Sequence, residues 1–284
     1  MKANIKNILK SICYVLLFVG IQILVSFAVQ FAYGFMFGIK TGMSGEPVDA
    51  QALTQELQIF LLNNQNLILV VSSVVTLLFL WVFFKCRHKK LTQEAQICKL
   101  DIKMILLVIV MGCSLSLFVS SVLCILPLPE NLVSSYSESS QGLWGENMVI
   151  RILSVMILAP VVEEIVFRGL IFSRLKRGMK TWIAIVISSV LFALMHGQLL
   201  WILYTFVIGI VFAVVAEKTK SLNASILCHM AFNSVSVLAG GISVTETEAY
   251  IMILVTFALV TASLVFVLKS SSSTRKSKLK CEMV

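Results

Sequence analysis

The chain has 284 residues, 58% of them hydrophobic and only 13% charged, with a formal net charge of +9. Soluble domains carry about 25% charged residues, so this composition excludes an ordinary soluble enzyme and indicates a polytopic membrane protein. The basic excess could suggest nucleic acid, but no reading module is present and the distribution of the charge has another cause.

Eight apolar runs are long enough, or nearly so, to cross a ~30 Å hydrocarbon core. They lie near 11–37, 66–84, 103–126, 148–172, 181–197, 199–216, 222–241 and 249–268. They predict an all-α membrane bundle of about eight transmembrane helices. The first run is longer than a signal-peptide core and no clear small-residue cleavage site follows, so it reads as an uncleaved span. The loop at 38–64 contains Q-A-L-T-Q-E-L-Q-I-F-L-L, a short amphipathic segment suited to the outer surface. The fifth and sixth runs are separated only by Gly197 and Gln198, which predicts a tight helical hairpin. The expected organisation is one membrane domain over 1–284. It comprises accessory helices in 1–126, a candidate core at 148–240 and a basic cytoplasmic tail at 269–284.

With the N-terminus placed in the cytoplasm and the runs alternating, the inner segments hold 20 of the 23 Lys and Arg residues. The outer segments keep only Lys40 and Arg151, and Arg168 falls within a span. This positive-inside bias puts both termini in the cytoplasm. The outer segments are acidic, with Glu46, Asp49 and Glu56, then Glu130, Glu138 and Glu146, then Glu246 and Glu248. The net charge therefore reads as topology and attraction to anionic membrane lipid, not to nucleic acid. The seven cysteines are scattered and odd in number, which indicates no disulfide framework. Cys86-x-His88 lacks the second pair a metal site needs. The C-terminal C-E-M-V has the layout of a prenylation box, but Glu282 breaks its aliphatic requirement.

Ionisable groups inside the runs are few: Glu163, Glu164 and Arg168 in the fourth, His196 closing the fifth and His229 in the seventh. Each costs several kcal/mol in hydrocarbon, which makes each a candidate functional residue. Glu164 and Arg168 are i,i+4 and can pair, serving at least to lock a helix. Glu163 lies about 100° round the helix and is left for other work. Pro160 cannot donate to the Met156 carbonyl, so a kink and a wet cavity are expected beside the carboxylates. Phe192 and His196 share a face, as do His229 and Asn233.

Measured from the basic flanks, Glu163 and His229 lie at similar depths, roughly 16 and 14 Å along their helices. His196 lies at roughly 24 Å, which looks too deep unless its helix is tilted or starts outside the lipid. A carboxylate and two imidazoles in such a cavity can activate water, with Glu163 as general base. An imidazole can orient that water or carry a metal, while His229 and Asn233 donate to a developing oxyanion. Glu163, His196 and His229 could also make a three-ligand zinc site. No H-E-x-x-H is present, and a metal-bound Glu163 would leave the base unnamed. No cofactor is required, and zinc stays open.

The stretches E-E-I-V-F-R-G at 163–169, F-A-L-M-H at 192–196 and H-M-A-F-N at 229–233 resemble three motifs of one family: E-E-x-x-x-R, F-x-x-x-H and H-x-x-x-N. That family is the CPBP intramembrane proteases, comprising type II CAAX prenyl endopeptidases and the Abi relatives that process bacteriocins or confer immunity to them. The likeness covers roughly 148–240. It implies that Glu163 activates water together with His196 and that His229 and Asn233 stabilise the oxyanion. Glu164 and Arg168 would support the site, with Phe192 as the first residue of the second motif. The implied protein is a multi-pass endopeptidase of a bacterial membrane, metal-dependent or glutamate-type, acting on a membrane-associated protein or peptide. A non-catalytic immunity or scaffold protein with the same cavity is the main alternative. A proton-coupled transporter fits less well, since no inverted repeat is visible.

Overall fold

The computed structural model describes residues 2–44, 50–141, 147–239 and 244–270. Glu46, Asp49, Glu146, most of the basic tail and the C-E-M-V end lie outside the described residues. The described regular structure is entirely helical, as expected for a chain whose backbone must satisfy itself in lipid. In chain order the helices are α1 (Lys2–Ser44), α2 (Ala50–Asn63), α3 (Gln65–Cys86), α4 (Leu91–Glu94), α5 (Ile102–Ile125) and α6 (Glu130–Gln141). There follow a mixed α and π run over 148–175, here α7, then α8 (Thr181–Leu194), α9 (Leu199–Thr219), α10 (Leu222–Ala239) and α11 (Glu246–Ser270).

Among the described residues, α1, α3, α5, α9, α10 and α11 are each long and apolar enough to cross a bilayer, and α8 is a shorter apolar helix. Local caps mark several starts. The side chains of Asp101, Asn147 and Gln198 accept from the backbone N–H groups of Met104, Ile150 and Trp201, which satisfies donors a helix start leaves orphaned.

Three elements depart from the sequence expectation. The first helix runs on to Ser44, about 65 Å long at 1.5 Å per residue. Its extension stacks Tyr33 on Phe60 of α2, with centroids 4.1 Å apart. The Ser-rich α6 was not expected, having no apolar stripe. It starts after Pro129, whose carbonyl accepts from Leu132 and Val133, and Tyr136 packs edge-on against Trp201 of α9. Cys13, Cys86, Cys113, Cys124 and Cys228 are free thiols, whereas Cys98 is disulfide-bonded, a link the odd cysteine count did not announce.

The segments assigned to the inside by charge come together at one end of the bundle. Glu94 takes Lys89 and Arg174, and Glu217 takes Lys176 and Lys220. The start of α10 is tied to the loop after α4: Leu222 N–H donates to the Gln96 carbonyl at 3.0 Å and Ser221 Oγ to the Cys98 carbonyl at 2.7 Å. Deeper in the bundle, α5 meets α10 almost backbone to backbone. A Cβ on Gly112 would lie 2.2 Å from the Cys228 carbonyl oxygen.

Candidate active site

The acidic motif lies on α7, which leaves plain α geometry twice. π turns at Ile152–Leu158 and Ile165–Phe172 flank an α segment at Ala159–Glu164. Such turns are rare and concentrate at functional sites. Arg168 Nη1 donates to Glu164 Oε1 at 2.9 Å, with both side chains fully buried. Arg168 Nη2 donates to the Gly209 carbonyl at 3.1 Å, and the guanidinium lies 4.2 Å over the Phe192 ring. A Cβ at Gly209 would come within 3.2 Å of that nitrogen, so glycine lets the guanidinium reach the backbone of α9. A buried ion pair survives only if its remaining polar capacity is met. Ser225 Oγ donates to Glu164 Oε2, and His229 Nδ1 donates to Glu164 Oε1 at 3.1 Å.

Both imidazoles are pinned through the same nitrogen. His196 lies just past the end of α8, and its Nδ1 donates to the Phe192 carbonyl at 3.1 Å. Carbonyl and carboxylate oxygens only accept, so each Nδ1 carries the proton in these bonds and each Nε2 is an acceptor in the neutral ring. His229 Nε2 lies 3.8 Å from Glu163 Oε2. Glu163 is the open member of the acidic pair, its side chain 22% exposed against 0% for Glu164. Phe192 packs edge-on against both rings, with centroids 4.9 Å from His196 and 5.8 Å from His229, and Phe212 stacks on His229 at 4.7 Å. The three helices thus bring Glu163, Glu164, Arg168, Phe192, His196 and His229 into one neighbourhood.

Asn233 is placed differently. Its Nδ2 donates to the Val155 carbonyl at 2.8 Å. Among the described residues, no three His, Cys, Asp or Glu side chains gather as ligands for a metal ion. Glu163, His196 and His229 form no such group here, and each of their roles is taken from protein atoms alone. His196 also lines a cavity of about 620 Å³. Gln198 and Trp201 line it from the hairpin and α9, and Ser26, Gln65 and Ser139 from α1, α3 and α6, with no Asp, Glu, Lys or Arg among the described lining residues.

Residues 145–235 match the family model for Rce1-like type II CAAX prenyl endopeptidases. The matched segment contains all three motifs on which the resemblance rests. Among relatives, the chain is 25% identical over 180 residues to YdiL of Bacillus subtilis (strain 168), a candidate membrane peptidase, covering 63% of this chain and 73% of that one. It is 36% identical over 93 residues to the membrane-embedded CAAX protease MroQ of Staphylococcus aureus (strain USA300), covering 31% of this chain and 38% of MroQ. An uncharacterised 24.3 kDa Escherichia coli protein is 29% identical over 99 residues, 33% of this chain and 46% of that one. The chain thus spans less than half the length of the last two. No solved structure matches it. The six long apolar helices among the described residues make this an integral, multi-pass membrane protein, and the bacterial relatives point to a bacterial membrane.

Within the matched segment, Ser225 and Phe212 escaped the sequence reading although both touch the central groups. Ser225 stands four residues before His229 on the same helix face, so the spacing that paired His229 with Asn233 marks it too.

Proposed function

We propose that this protein is an intramembrane endopeptidase in which Glu163 and His196 activate water against a peptide bond of a membrane-associated protein or peptide. His196 Nε2, left as an acceptor by the bond from Nδ1, holds one O–H of the water. Glu163 takes the other proton as oxygen attacks the carbonyl carbon. The Glu163 proton passes to His229 Nε2, 3.8 Å away, and Glu164 stabilises the resulting imidazolium through Nδ1. Only as the imidazolium can His229 donate from Nε2 to the oxyanion and then to the leaving amine, because its other nitrogen is committed to Glu164. Arg168 keeps Glu164 ionised and fixed.

The observation that carries this reading is the pinning of both imidazoles through Nδ1 against one Phe192 ring, with the partly exposed Glu163 carboxylate 3.8 Å from His229. The uncharged cavity at His196 suits a neutral stretch of chain. CAAX-type cleavage and the trimming of a bacteriocin or signalling peptide both fit that cavity. Comparing the peptides of membranes from cells carrying wild type and Glu163→Gln tests it. The expected result is a set of cleavage products present only with wild type, at equal protein level. Identical peptide sets at equal protein level would overturn catalysis in favour of an immunity or scaffold role.

A further inference from the structure

The resemblance implies an oxyanion role for Asn233, and the geometry points to a second job beside it: we propose that one N–H of its amide is the backbone clamp that lets α7 hold its π register at Pro160. Ala159 N–H bonds to the Ser154 carbonyl, five residues back, which is π register. The next donor in that register would serve Val155, and it belongs to residue 160. Pro160 has no N–H. The orphaned carbonyl is therefore Val155, one residue before the Met156 carbonyl that an α register would free. Asn233 donates to that oxygen at 2.8 Å from a different helix. Inside a bilayer no bulk water can replace the bond, so an unmet carbonyl there is costly. The register matters because each residue turns an α-helix by about 100°. Relaxation of the π turn would swing Glu163 and Glu164 away from His229. Asn233 is thus a positioning residue that acts on the carboxylates through the backbone of α7.

The clamp makes a prediction that an oxyanion donor does not: Asn233 should be coupled to Pro160. Replacing Pro160 by alanine returns an N–H to the Val155 carbonyl, after which the register no longer needs the amide of Asn233. Full-length protein in detergent would be compared as wild type, N233A, P160A and P160A/N233A, by apparent Tm and by the level that accumulates in membranes. N233A is expected to lower Tm by about 3–10 °C when Pro160 is present and by less than about a third of that in the P160A background. Should N233A not accumulate at all, recovery of P160A/N233A serves as the readout. Asn233→Asp, which keeps the shape and sets an acceptor against the carbonyl, should be less stable than N233A. Equal Tm losses in both backgrounds would overturn the clamp, as would N233D matching wild-type stability. The stability arm needs no substrate, so it can fail or succeed independently of the protease reading.

Discussion

The bundle holds two groups of ion pairs built from the same chemistry in opposite settings. At the end of the bundle that the charge pattern assigns to the inside, called the inner end, Glu94 and Glu217 each hold two basic side chains, and Lys89 and Lys220 are about half exposed. In the middle, Glu164 and Arg168 are fully buried, with His229 and Ser225 completing their bonds. The inner pairs are screened by water and salt and can be lost one at a time. The buried group has no such freedom, since each member answers a charge or lone pair of another. The first set stitches loops; the second fixes the geometry around Glu163.

The largest expected effect comes from breaking the buried pair on one side. Arg168→Met leaves Glu164 without its counter-charge and should cost about 3–5 kcal/mol, read as loss of stability in detergent. Removing both charges by Glu164→Leu with Arg168→Met should recover most of that loss while leaving peptide release abolished. A double variant as unstable as the single would mean the pair contributes by shape alone, erasing the contrast with the inner end.

A smaller effect should follow at the contact that seats His229. Gly112 lets α5 approach the Cys228 carbonyl, and Cys228 immediately precedes His229. Gly112→Ala must push α10 outward, at about 1–3 kcal/mol for an overpacked contact. Peptide release should fall further than stability explains, because the shift moves His229 away from Glu163 and Glu164. Unchanged release at equal protein level would show that the buried group tolerates displacement, contrary to the contrast drawn above.

Much of this arrangement was legible in the residues. Charged groups in an apolar helix are conspicuous because burying them is expensive, so Glu163, Glu164, Arg168, His196 and His229 stood out, and i,i+4 spacing paired the second with the third. Ser225 did not stand out, since a serine costs little to bury in a helix. The π register was illegible for a different reason: Pro160 is compatible with either register, and only the partner of the freed carbonyl distinguishes Val155 from Met156. The length of α1 was underestimated because the apolar run thins after residue 37, although no proline interrupts the chain before Pro47. The helical state of α6 depends on a distant ring, Trp201, that local pattern does not reveal.

The smallest effect belongs to the inner end and has a pH signature. Burial acts first on Glu94 and disfavours its charge, but the hydrogen bond from Lys89 and the charges of Arg174 and Lys89 outweigh it. Its carboxyl is therefore held below the usual carboxylate range. A group depressed on folding adds stability that is complete above its unfolded value, near 4.3 for glutamate, and is lost as pH falls through the folded value. Glu94→Gln should cost only about 0.2–1 kcal/mol at pH 7, because water screens the pair with Lys89. It should also remove part of the decline in stability on acidification below about pH 4.5. The buried group should show no comparable sensitivity to salt, so raising ionic strength ought to shrink the Glu94 effect while leaving the Arg168→Met loss in place. Equal salt dependence for the two variants would mean that water reaches Glu164 as readily as it reaches Glu94.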